Sequence, residues 1–112
     1  MTYKTLIVGI IILSVIFSSR ALIAQESFEV YVNSRGTNSI KKYDREGNYL
    51  EDFISSGAGG LSNPEDILFH PDGSVLITGF SNQFIKKYNG VTGDYIGNFS
   101  SGYNLNGPSK MS

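Results

Sequence analysis

The chain repeats itself, and the repeat limits the architectures open to it. Val30 to Asp44 lies on Val75 to Asn89 at an offset of 45 residues without a gap. The identical pairs there are Val30/Val75, Ile40/Ile85, Lys41/Lys86, Lys42/Lys87 and Tyr43/Tyr88. Gly90 is one extra residue, after which Gly47/Gly93, Tyr49/Tyr95 and Phe53/Phe99 match. Beyond an unmatched Ile54 come Ser55/Ser100, Ser56/Ser101 and Gly57/Gly102. These make 11 identities in 27 aligned pairs, where composition alone would give roughly two. Leu61 and Pro64 return more loosely as Leu105 and Pro108. A unit of this length cannot bury its own hydrophobic face and has to stack on a neighbour.

Each unit reads as short strands separated by turns. Residues 65–70 form one strand, closed by Pro71-Asp72-Gly73, where Pro presets the first turn angle and Gly takes the positive φ. Ser74 to Thr78 runs back with Val75, Leu76 and Ile77 consecutive, the mark of a strand covered on both faces. Residues 83–89 make a third strand, 89–93 a Gly-rich turn and 94–99 a fourth strand. A helical repeat of similar length is excluded, because Gly and Asn recur too often and no 3.6-residue stripe is present. The expected fold class is all-β, built of four-stranded antiparallel repeats in the manner of β-propeller blades.

These residues carry a resemblance. Leu61-Ser62-Asn63-Pro64 followed by Glu65-Asp66-Ile67-Leu68-Phe69-His70, the Pro71-Asp72-Gly73 hairpin and Ser74 to Thr78 resembles the opening of an NHL-type blade. Ile85-Lys86-Lys87-Tyr88 resembles the third strand of such a blade, and Thr92 to Phe99 the fourth. The likeness spans nearly all of Phe28 to Pro108 and points to the superfamily of six-bladed propellers, which includes TolB-like and gluconolactonase-like proteins. It implies a first blade at about 28–57, a second at about 61–102 and the start of a third at 105–112. The first unit departs from the pattern: its inner strand would fall on residues 20–25, at the end of the signal-like segment. Two blades are about a third of a six-bladed ring, so the expectation is a fragment or truncated gene product. Assembly of several copies into a ring is the alternative, and poor folding with aggregation through open edge strands is a third reading.

Residues 1–24 read as a signal peptide. Lys4 is the positive n-region, Leu6 to Phe17 is a 12-residue apolar h-region, and Ser19 and Ala21 suit a peptidase site after Ala21, with a cut after Ala24 as second choice. Spanning hydrocarbon takes roughly 20 apolar residues, so a membrane anchor over residues 4–23 is the alternative; either way the body at 25–112 lies outside the cytoplasm. Once Lys4 and Arg20 leave with the segment, seven basic side chains face ten acidic ones, a net charge of −3. That excludes an electrostatic nucleic-acid binder. The chain has no Cys, which excludes disulfides, thiolate metal sites and a lipoprotein anchor.

The chemistry-bearing residues are few. His70 is the single histidine; a general base or metal ligand is one reading, and a strand-end residue before a turn is the plainer one. The resemblance to lactonase-like propellers implies a channel Ca²⁺, for which Glu65 and Asp66 are the candidate ligands. Strand alternation lets at most one of them face a channel, and the plainer reading is a solvated strand start. Lys41-Lys42 and Lys86-Lys87 could form a basic stripe, or lay their stems over apolar neighbours with the ammonium groups in water. Tyr43, Tyr49, Phe53, Tyr88, Tyr95 and Phe99 could stack on carbohydrate, or pack one repeat on the next. Asn98-Phe99-Ser100 is a glycosylation sequon, with meaning only in a eukaryotic secretory host. The expectation for this chain alone is a secreted or surface-exposed scaffold without a cofactor. It would bind a protein or carbohydrate through loops 55–63 and 100–107, and its open repeat edges allow self-association. The alternative is the N-terminal part of a metal-dependent hydrolase or lyase of the lactonase-like kind.

Overall fold

In the computed structural model the described residues are 28–112. The expected signal peptide at 1–24, with its anchor alternative at 4–23, lies outside them. The described residues form two antiparallel sheets and no α-helix. Sheet 1 has three strands in chain order: β1 (Val30–Ser34), β2 (Ser39–Tyr43) and β3 (Tyr49–Ile54). Sheet 2 has four: β4 (Pro64–Phe69), β5 (Ser74–Gly79), β6 (Lys86–Asn89) and β7 (Tyr95–Asn98). Sheet 1 thus lacks a counterpart of β4 among the described residues, where the repeat offset put that strand at the end of the signal-like segment.

Turn chemistry sets the hairpins. Between β4 and β5 the His70 amide donates to the Ser74 carbonyl at 2.9 Å, and Gly73 stands at φ +87°. The β2–β3 and β6–β7 turns are built alike. Asp44 N–H donates to the Asn48 carbonyl and Asn89 N–H to the Asp94 carbonyl, at 2.9 and 2.8 Å. The Asp44 and Asn89 side chains each accept two further amides of their own turn, the Asx-turn use of these residues. The third strand is shorter than expected from 83–89, because residues 81–85 are drawn out of the ladder. Ile85 N–H goes to Ser100 Oγ at 2.9 Å, and Ser62 N–H goes to Asn82 Oδ1 at 3.2 Å.

The core lies between the sheets. Ile40, Phe53 and Ile54 from sheet 1 meet Val75, Ile77 and Tyr88 from sheet 2, closed at one end by Leu61. β5 is buried along its whole length, as its apolar run requires. Tyr88 is buried, and its hydroxyl donates to the Ala58 carbonyl at 2.7 Å; burial drives its pKa upward. Gly93, at φ +75°, lies so close to the Phe53 carbonyl that a Cβ there would collide with it, so only glycine lets the two sheets approach at this corner. Tyr31 bridges the sheets with edge-on contacts to Phe53 and Phe69 at 5.0 and 4.9 Å between ring centres. Asn33 Nδ2 donates to the Glu65 carbonyl at 3.1 Å, and Arg35 pairs with the Glu65 carboxylate at 3.2 Å.

Because the core is shared by both sheets, changes there act on the whole fold. Ile77→Ala is expected to cost about 2–5 kcal/mol. Tyr88→Phe, which leaves the Ala58 carbonyl with the Leu61 amide alone, is expected to cost about 0.5–1.5 kcal/mol, the net worth of one hydrogen bond. Urea titrations followed by circular dichroism check both, and a single transition for both sheets should persist in each variant.

Candidate functional site

The loops at one end of the two sheets form the candidate site. The β1–β2 turn (35–38), the β3–β4 connection (55–63), the β5–β6 connection (80–85) and the segment after β7 all meet there. Asn38 is the central tie: its carbonyl accepts Gly57 N–H at 2.8 Å and its Oδ1 accepts Asn63 N–H at 2.9 Å. Ser56 Oγ donates to the Thr37 carbonyl at 2.7 Å. Asn63 in turn accepts Phe80 N–H on its carbonyl and donates from Nδ2 to Ser81 Oγ. In the second unit Asn82 ties the last loop, its carbonyl accepting Gly107 N–H at 2.9 Å, and the neighbouring Gln83, which aligns with Asn38, accepts Leu105 N–H on its carbonyl. Asn38, Asn63 and Asn106 take left-handed backbone, which asparagine tolerates better than most residues. Loops 55–63 and 100–107, both named from the sequence, are thus brought to the same end and tied to the sheets through backbone and side-chain bonds. The two ties, Asn38 and Asn82, four residues after β1 and three after β5, escaped the sequence reading.

Loop 55–63 also closes the end of the seam. Tyr95 packs so tightly on Gly59 that a side chain there would overlap its ring, and the Lys86 ammonium lies 5.6 Å from the same ring centre. Lys86 is desolvated, which lowers its pKa, and among the described residues no carboxylate pairs with it. Its aligned residue Lys41 sits 5.8 Å from the Tyr49 ring centre in the same arrangement, but bonds to Asp52 at 2.7 Å. The difference is one residue, since Asn98 stands where the first repeat has Asp52. Tyr49 donates to Asp52 at 3.0 Å and Tyr95 to Asn98 at 3.2 Å, so the second repeat keeps the geometry and loses the charge.

The lysines therefore do not make one stripe. Lys42 meets Glu29 at 2.9 Å and Glu51 at 3.5 Å, and Lys87 meets Asp72 at 2.9 Å. Glu65 faces Arg35, whereas Asp66 accepts Met111 N–H at 2.8 Å on Oδ2 and Ile67 N–H on Oδ1; the pair is not brought together around a common point. Among the described residues there is no group of three or more His, Asp or Glu side chains. His70 sits at the end of β4, its Nδ1 3.0 Å from Asp72 Oδ1 and its ring 5.9 Å from that of Phe99. Asp72 gathers Ser74, Lys87 and His70, and the Ser74 hydroxyl and Lys87 hold its carboxyl well below the usual range. Of the aromatic set, Tyr88 and Phe53 are buried in the seam, while Tyr49 and Phe99 are exposed. Asn98 is exposed and accepts the Tyr95 hydroxyl.

The two lysines of the Lys–Tyr arrangement should respond oppositely to removal. Lys41→Met should lower Tm at pH 7 by stranding Asp52, while Lys86→Met should leave it unchanged or raise it. A lysine whose pKa falls on folding weakens the fold while protonated, so any advantage of Lys86→Met shrinks as pH rises toward about 10.4. Asp72→Asn should lower Tm at pH 7. Because the native carboxyl is held low, its contribution is present above the ordinary carboxylate range and fades as pH falls below about 4, so the gap to wild type narrows in acid. Thermal melts across pH check all three.

No family model matches the chain, and no curated protein or solved structure matches it either.

Proposed function

We propose that the two sheets are blades of the β-propeller kind, and that the chain is a secreted or surface-exposed scaffold which binds through its loop end. The observation that carries this reading is the convergence of loops 55–63 and 100–107 on one end, held by Asn38, Asn63 and Asn82. Loops fixed in this way lose little conformational freedom on binding, which is where much binding energy is otherwise lost. Exposed side chains on a braced loop are the usual way a rigid β scaffold presents a ligand surface. The net negative body charge and the polar character of these loops, rich in Ser, Asn and Gly, suit a protein or carbohydrate ligand read by hydrogen bonds. Secretion rests on the Lys4–Ala24 segment and its signal-like layout.

Amide chemical-shift mapping on the isotopically labelled chain tests the binding reading, with a set of neutral and acidic oligosaccharides and a set of short peptides as probes. Saturable shifts confined to residues 55–63, 80–83 and 100–107 are the expected result. An Asn38→Ala variant, which unties the central loop, should weaken the same probe by about tenfold, or 1.4 kcal/mol. Shifts that instead collect on Glu65 and Asp66 when Ca²⁺ is titrated would favour the metal-enzyme alternative.

A further inference from the structure

The two faces of each sheet can be followed through the repeat, and they are unequally used. Register puts Val32, Lys41 and Asp52 side by side on one face of sheet 1, with Val30, Tyr43 and Tyr49 beside them. In sheet 2 the corresponding rows are Ile77, Lys86 and Asn98, and Val75, Tyr88 and Tyr95. Alignment makes these the same face: Val30/Val75, Val32/Ile77, Lys41/Lys86, Tyr43/Tyr88 and Tyr49/Tyr95. In sheet 2 this face is pressed against sheet 1, so Val75 and Ile77 are 0% exposed; in sheet 1 it is open, with Val30 and Val32 at 41% and 42%. A concavity of about 300 Å³ lies there, lined by Val30, Val32, Tyr43, Asp44, Arg45 and Gly47. Gly47 has nothing within reach of a Cβ, whereas its aligned residue Gly93 is in contact with the Phe53 carbonyl.

The opposite face tells the same story in reverse. Phe53 of sheet 1 is 4% exposed in the seam, and its aligned residue Phe99, beyond sheet 2, is 49% exposed. The start of a cover for that far face is already present. Thr78 Oγ1 donates to the Ser109 carbonyl at 3.0 Å, as the aligned Asn33 donates from Nδ2 to the Glu65 carbonyl at 3.1 Å. In the sequence Leu105 and Pro108 follow the second unit as Leu61 and Pro64 follow the first. The chain thus contains one filled seam and the two separate halves of another.

We infer that the open face of sheet 1 docks on the far face of sheet 2 of a second copy of this chain, reproducing the internal seam between molecules. The internal seam is the template on which the occupant is identified: among the described residues, the surface packed on the repeat of this face is the inner face of sheet 1, and sheet 2's far side repeats that surface. Transposed contacts follow residue by residue. The Tyr43 hydroxyl takes the role of Tyr88 and donates to the neighbour's Tyr103 carbonyl, the counterpart of Ala58. The Gly47 backbone lies on the Phe99 carbonyl as Gly93 lies on that of Phe53. The edge of β1, which has no strand beside it among the described residues, receives residues 109–112 of the neighbour in the position that β4 holds beside β5. Asn104 stands where Gly59 does, so Tyr49 cannot repeat the Tyr95 contact and must turn aside. The contact is heterologous, one face against a different face, so it builds a ring or a chain and not a twofold dimer.

Complementation tests this directly, on the full chain in a mild non-ionic detergent that covers apolar segments, by light scattering after size exclusion. Val30→Asp with Val32→Asp blocks one face; Phe99→Asp blocks the other, with Leu68→Asp on the same far face as a second variant should Phe99→Asp lose its cooperative melt. Wild type is expected to elute as two or more copies per particle. Each variant alone should elute as one copy with its cooperative melt kept, and a 1:1 mixture of the two should give a two-copy particle, since each supplies the face the other lacks. A one-copy wild type, assembly unchanged in both variants, or a mixture that stays at one copy would each overturn the inference, leaving the face to another partner.

Discussion

The seam between the two sheets holds the rest of the molecule in place. Neither sheet has a core of its own: Ile40, Phe53 and Ile54 have apolar neighbours because Val75, Ile77 and Tyr88 lie opposite them. Each of these side chains, removed from water, contributes roughly 1.5–3 kcal/mol of transfer free energy, and all of that depends on the two sheets staying together. Tyr88 joins packing to polarity, since its ring fills the centre and its hydroxyl satisfies the Ala58 carbonyl in the loop that caps the seam. The loop end is therefore ordered by the same contact that forms the core, through Ala58, Gly59 and Tyr95.

Divergence between the repeats is concentrated where their surroundings differ. Lys41 faces solvent on the open side of sheet 1 and keeps a carboxylate, Asp52, within 2.7 Å. Lys86 is partly enclosed by loop 55–63, and its counterpart acid has become Asn98. A carboxylate at the exposed Asn98 position would meet an ammonium group that is itself partly desolvated, and the balance for partly buried pairs is often close to zero. The amide still accepts the tyrosine hydroxyl.

Much of the architecture was legible before any coordinates. The alternation around Pro71-Asp72-Gly73 and the consecutive Val75, Leu76 and Ile77 placed β4 and β5 within a residue of their observed ends. Burial was not legible in the same way. Tyr43 and Tyr88 are the same residue in the same local sequence, and only the second is buried, because burial depends on what lies opposite and not on the strand itself. The late start of the third strand was also hidden, since it depends on Asn82 reaching Ser62, a contact across 20 residues. The loop ends were named correctly from Ser, Asn and Gly content, but the asparagines that tie them carry no pattern distinguishable from ordinary turn residues.

A shared seam also has a consequence in time. A ribosome adds residues at roughly 5–20 per second, and the second repeat follows the first by 45 residues. For a few seconds of every synthesis, then, sheet 1 is out of the exit tunnel before the sheet that covers its inner face, with Ile40, Phe53 and Ile54 lacking their partners. Its folding must wait for Tyr88 to arrive. Polysomes place many such half-built chains side by side, and the inner face that awaits its own second repeat is open to the neighbour's. Slowing elongation between Ile54 and Lys86 prolongs that exposure, so codon usage across this stretch bears on yield although it changes no residue.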